Sequence, residues 1–147
     1  PAGFYAAVPR LRAKLGDRAV LRAMHFYRED GRAQGESDAL ERGDFEAFLH
    51  LVQNSGESSY CLLQNVYPSS VPAEQPVSIA IAVGSAVLGG RGAIRVHGGG
   101  FAGVIMAMLP NDLVDEYVAY IEKAMGEGSA YRMSIRPYGA ICVNQML

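Results

Sequence analysis

The sequence predicts an α+β fold in a single domain over residues 1–147, and three observations carry it. Apolar side chains recur at helical spacing from about residue 10 to 90, and from 91 to 147 the pattern changes to strand-like runs around one helix. Half of the residues are hydrophobic, enough for one real core. The order strand, strand, helix, strand, strand, with helices packed from one face, is an α+β layer architecture.

In "LGDRAVLRAMHFYRED" the apolar positions Val20, Leu21, Met24 and Tyr27 share a face, with Asp17 placed to cap the start. That helix can continue through "GRAQGESDALERG" despite Gly31 and Gly35, and Gly43 is well placed to end it. Asp44 caps the next helix, "FEAFLHLVQNS", which turns Phe45, Phe48, Leu49 and Val52 to one side. A short helix follows in "SSYCLLQNVY", then the Pro-rich connection "PSSVPAEQP". Continuous apolarity in "VSIAIAVGSAVL" does not separate buried helix from buried strand. Its length and alanines favour a helix packing through Val77, Ala80, Ile81, Gly84 and Leu88.

After Gly89 and Gly90, "GAIRV" alternates like a strand, and "VIMAML" reads as a buried strand stopped by Pro110, the two forming a hairpin-like unit. Asn111 or Asp112 caps a helix with Leu113, Val114, Tyr117, Val118, Ile121 and Met125 inside, ended by Gly126 and Gly128. "AYRMSI" and "GAICV" supply two more strands across a turn with Pro137 and Gly139. No internal repeat and no low-complexity segment is present.

Thirteen basic and fifteen acidic side chains give a formal charge of −2, and the basic ones are scattered, so nucleic acid is not an expected partner. Cys61 and Cys142 form no Cys-x-x-Cys or Cys/His cluster; a zinc site has little support, a reduced cytoplasm fits, and both read as small core residues. The longest uncharged apolar run, Val77 to Gly90, falls short of the roughly 18–20 residues a membrane span needs, so no membrane association is expected. The chain opens on Pro1 without a leader or an initiator Met, which suggests processing or a cut chain.

"RVHGGGFAG" fits several chemistries. A dinucleotide fingerprint needs a helix starting inside the glycines, whereas "VIMAMLP" is short, β-like and soon ended by Pro. An esterase oxyanion loop needs a G-x-S-x-G elbow and a far longer chain. A P-loop needs G-x-x-x-x-G-K-[ST], which does not occur. Three glycines can also simply permit a tight crossing or a bulge.

The same stretch resembles the third motif of the GHMP kinases, in the galactokinase form Gly-Gly-Gly-Phe, a small residue, Gly. "RAMHFYRED" and "ALERGDFEAFLHLV" are similar to galactokinase segments upstream of it. "DEYVAYIEKAMGEGSAYRMSIRPYGAICV" is similar to the end of those enzymes. Many galactokinases carry Ser-His and an acidic, Tyr-containing stretch where this chain has "NSGESSYCLLQNVYPSS", a departure that bears on sugar identity.

The resemblance implies a ferredoxin-like four-stranded antiparallel sheet packed with helices, a count that periodicity matches. It also implies the C-terminal portion of an enzyme that transfers the γ-phosphoryl group of ATP, with Mg2+, to the anomeric hydroxyl of galactose or a related sugar. The first and second kinase motifs and the catalytic Asp do not occur in these residues. The expectation is therefore that an N-terminal half is missing, that the 147 residues are inactive alone and hold neither a catalytic residue nor a metal nor a tightly bound cofactor, and that a domain face left bare invites self-association.

Gly98, Gly99, Gly100, Phe101 and Gly103 are expected near the ATP phosphates, letting backbone approach closely. Arg95, Ser55 and Ser58 are candidate cleft-lining residues, although alternation could equally turn Arg95 to solvent, and Ser55, Ser58 and Ser59 also suit helix capping. His25, His50 and His97 stand without a ligand or carboxylate partner in sequence and read as structural. Two other functions fit: another sugar or metabolite kinase of the same superfamily, and a stand-alone ferredoxin-like ligand-binding domain.

Overall fold

A computed structural model describes residues 2–101, 103–139 and 142. The described residues form five α-helices and one β-hairpin: α1 (Ala2–Leu15), α2 (Asp17–Glu41), α3 (Phe45–Ser58), α4 (Pro76–Leu88), β1 (Ala93–His97), β2 (Val104–Met108) and α5 (Val114–Met125). A π-helical turn, Ser59–Leu63, continues α3, and a 3-10 turn, Asn111–Leu113, leads into α5.

β1 and β2 pair antiparallel, Ala93 opposite Met108, Arg95 opposite Met106 and His97 opposite Val104. Because successive side chains leave a strand on opposite faces, Ile94 and Val96 point to one layer and Ala93 and Arg95 to the other. Ile94 packs with Leu88, Leu113, Tyr117 and Ile121 from α4, the 3-10 turn and α5, and Val96 with Val66 and Val77. On the opposite face Ala93, with Met106 and Met108, meets Ala39, Phe48 and Val52 of α2 and α3. The hairpin is thus covered by helices on both faces rather than one. β1 carries that burial, through Ala93, Ile94 and Val96, whereas β2, expected as a buried strand, is only half-buried from 105 to 108 and exposed at Val104.

The expected four-stranded ferredoxin-like sheet is not formed: the described residues hold a two-stranded sheet in a mostly helical chain. "AYRMSI" alternates like a strand, but alternation marks an apolar stripe and does not provide a hydrogen-bonding neighbour. Residues 129–139 join no ladder, and Tyr131, Met133 and Ile135 are 84%, 90% and 85% exposed. Most of the fourth expected strand, "GAICV", lies outside the described residues.

The helices follow their sequence signals with local differences. α2 runs through Gly31 and Gly35 to Glu41, but Gly16 occupies its N-cap, and Asp17 is its first residue, paired with Arg12 at 2.6 Å. Tyr27 leaves the core face for α1, its ring 5.1 Å from that of Phe4. Asp44 caps α3 by accepting from the Ala47 amide at 3.0 Å. Neither Asn111 nor Asp112 caps α5 through its side chain. Cys61 and Cys142, expected in the core, are both exposed. Cys61 sits in the π turn, whose wider winding turns it outward with Tyr60, while Ser59 is buried. No helix among the described residues is long and apolar enough to cross a membrane.

Candidate functional site

The hairpin's connection, Gly98 to Gly103, takes left-handed backbone at Gly98, Gly100 and Phe101 (φ 70°, 79° and 64°). Two of these fall on glycine, which has no Cβ to oppose that conformation, and Phe101 accepts the strain of a side chain there. The expected residues Gly98, Gly99, Phe101 and Gly103 are exposed, and Gly100 is half-buried.

Asn65 explains how this loop is held. Its carbonyl oxygen accepts the Phe101 N–H at 2.5 Å, and its Nδ2 donates to the Gly99 carbonyl at 3.4 Å. A Cβ at Gly100 would stand 2.1 Å from that carbonyl oxygen and 2.7 Å from Nδ2, so glycine is required by contact as well as by φ. Asn65 is 4% exposed, and its Oδ1 has no protein partner. An unpaired buried acceptor costs on the order of 1–3 kcal/mol, so the Asn65 side chain is placed at the expense of stability.

The π turn delivers Asn65 to this position. The Gln64 N–H reaches back five residues to the Ser59 carbonyl at 2.8 Å, and Gln64 itself is left-handed (φ 57°). Such wide turns recur at functional sites. Upstream, Gly56 lets α3 lie directly on β1: a Cβ there would be 2.8 Å from both the Arg95 Cβ and the Ile94 carbonyl oxygen.

A polar cluster fills the seam between α2, α3 and β1. Glu29 is its centre: it accepts from the Ser55 hydroxyl, from Arg32 Nε at 2.9 Å and Nη2 at 2.5 Å, and lies 3.4 Å from Arg95 Nη1. One turn earlier on α2, His25 Nδ1 lies 2.9 Å from Ser58 Oγ. Burial raises the Glu29 carboxyl, but the Ser55 hydrogen bond and the two guanidinium groups outweigh it and hold it below the ordinary carboxylate range. Burial pushes the His25 imidazole down, reinforced by Arg32 and Arg95 and opposed by Glu29. Glu36, next along the same face, is raised by burial with Glu29 nearby.

These contacts settle where the other candidate residues lie. Arg95 is half-buried and turns into the seam beside Glu29. Ser55 is fully buried and Ser58 is 8% exposed, both as hydrogen-bond partners within the cluster; Ser58 stands at the N-cap of the π turn but makes no capping bond with its side chain. The Ser58–His25 pair has a nucleophile-and-base appearance, yet it is shut away from water, and the nearby carboxylate is engaged by Ser55 and Arg32. It acts as a clamp between α2 and α3. His97 and His50 are exposed.

Sequence reasoning missed Glu29, Arg32 and Asn65. His25, Glu29, Arg32 and Glu36 recur at helical spacing, a signal that was present, although a solvated helix face shows the same pattern. Asn65 carried no signal, because its partners lie 34 or more residues away.

A separate open pocket of about 730 Å³ lies at the start of β1, between α3 and the end of α4, lined by Asp44, Glu46, His50, Gln53 and Ser85 among others. It is at the opposite end of the strand from the glycine loop and contains none of the expected site residues. Among the described residues no three His, Cys, Asp or Glu side chains converge as metal ligands. Compared with protein families and with solved structures, the chain matches none.

Proposed function

We propose that these residues form the C-terminal portion of a galactokinase-type sugar kinase, with Gly98–Gly103 as one wall of the ATP phosphate site. The observation that carries this reading is the glycine loop itself: exposed at Gly98, Gly99 and Phe101, left-handed at Gly98, Gly100 and Phe101, and braced from behind by Asn65. Successive backbone amides in such turns make concave anion sites. The kinase-like order of "RAMHFYRED", "ALERGDFEAFLHLV" and "RVHGGGFAG" supports the same reading.

Phosphoryl transfer depends on positioning and on charge stabilisation around the phosphates. ATP would supply the transferred group, and magnesium would supply charge neutralisation at its phosphates. The part assigned to this chain is to present the loop backbone and keep it in one conformation through Asn65, while the base and the remaining phosphate ligands come from chain preceding Pro1. No role in holding magnesium is assigned to the described residues. The "NSGESSYCLLQNVYPSS" departure leaves a related sugar as the second reading.

The test is ADP release from ATP by the protein of the whole reading frame, with galactose and a panel of related sugars, beside the purified 147 residues. Galactose-dependent ADP from the whole protein and none from the 147 residues is the expected result. Turnover of a different sugar moves the assignment to a sibling kinase, and no turnover of any sugar ends the kinase reading. Galactose-dependent ADP from the 147 residues alone refutes the division of labour.

A further inference from the structure

We infer that Asn65 is the positioning residue of the glycine loop, setting the affinity for the phosphate-bearing substrate without touching the reacting atoms; its substrate consequence rests on the kinase reading above. Three independent observations converge on it. Asn65 reaches both sides of Gly100, through its backbone carbonyl to the Phe101 amide and through its side-chain amide to the Gly99 carbonyl. Gly100 lies against it so closely that no side chain fits between them. The residue is almost wholly buried with Oδ1 unpaired, a placement that packing alone does not favour, since an apolar residue of similar size would carry no such penalty.

The geometry also says why the loop needs a brace. Glycine-rich backbone loses the most freedom when fixed, so a loop of this composition is held only if something outside it selects one conformer. The left-handed Gln64 and the π turn before it orient Asn65 for that contact. Asn65 therefore couples the end of α3 to the loop conformation that faces the phosphates.

Two variants test the inference in the protein of the whole reading frame: Asn65→Asp, which keeps the shape but withdraws the donor to Gly99, and Asn65→Ala, which removes the side-chain amide. Both are expected to raise KM for ATP by about tenfold or more, with KM for the sugar within about twofold of the parent, as loss of substrate positioning produces. A role in folding alone would lower the melting temperature and the active fraction while leaving both KM values unchanged, and that result overturns the inference.

Amide hydrogen exchange gives a reading that does not depend on kinase activity. In both variants the Phe101 amide, which donates to the Asn65 carbonyl, is expected to exchange at least about tenfold faster once the side-chain bond to Gly99 no longer holds the loop against it, while the amides of α3 keep their protection, the signature of local rather than global opening. Unchanged exchange at Phe101 overturns the positioning role even if the enzyme is a kinase. Faster exchange in a protein that phosphorylates no sugar sustains the brace and removes only its assigned substrate.

Discussion

His25 and Ser58, 33 residues apart in sequence, meet at 2.9 Å across the buried seam between α2 and α3. The contact ties the long second helix to the segment that carries Asn65, and it does so with an imidazole whose pKa burial lowers. The charged groups around that ring are Glu29 and Arg32 on α2 and Arg95 on β1.

That pairing makes the fold sensitive to mild acid. The folded-state pKa of His25 lies below its ordinary value of 6.5, so as pH falls the unfolded chain takes up this proton first and stability declines below about pH 6.5. Glu29, also lowered, contributes stability that is present above its ordinary value of 4.5 and is lost as pH falls beneath it. Glu36, raised by burial, acts in the opposite sense, costing stability as pH rises past 4.5. Melting temperatures measured from pH 8 to pH 5 are expected to fall below pH 6.5 in the parent and to stay flatter in His25→Gln. Identical slopes would remove His25 as the origin.

Glu29→Gln is expected to lower unfolding free energy by about 1–3 kcal/mol, because a neutral amide leaves Arg32 and Arg95 without their carboxylate partner in a largely buried seam. Urea titration with an unchanged m-value measures it. A loss below about 0.5 kcal/mol, the range of an ordinary surface substitution, would mean that solvent screens the cluster.

Two glycine-to-alanine changes should move stability in opposite directions. Gly56→Ala inserts a methyl where the Arg95 Cβ and the Ile94 carbonyl oxygen stand 2.8 Å away, and overpacking against backbone costs about 1–3 kcal/mol. Gly31→Ala adds a methyl in open space within α2, where alanine gains about 0.5–1 kcal/mol over glycine. Chemical denaturation of both variants checks the pair, and destabilisation by Gly31→Ala would contradict the described course of α2.

Gly100→Val combines a left-handed backbone with a collision against the Asn65 carbonyl oxygen. In the protein of the whole reading frame, on the kinase reading, it should lower turnover by at least about tenfold, as a misplaced loop does, while far-UV circular dichroism stays like the parent. Normal turnover would sever the loop from the reaction.

Much of the helical part was legible in the sequence because long periodic segments announce themselves: α2, α3 and α4 follow their apolar faces except at the exposed Tyr27 and Phe45, and the β1–β2 hairpin follows its glycine punctuation. α1 was hidden over its first eight residues by Gly3 and by Pro9, a residue usually excluded from helix interiors. Tyr131, Met133 and Ile135 misled, since a strand is a relationship between two chain segments and alternation describes one of them. At the site the glycine loop was readable as a motif. Its brace was not, because the sequence around Asn65 does not reveal that Gly99, Gly100 and Phe101 fold back onto it.

The π turn at Ser59–Leu63 gives this region an uneven tolerance to mutation. Tyr60 and Cys61 face solvent, so their identities are free to drift with little effect on the core. Chain length here is another matter. Removing or adding one residue would break the five-residue reach from the Gln64 N–H to the Ser59 carbonyl and change where the chain leaves the turn, carrying Asn65 off Gly100. The stretch can change its letters but not its number of them.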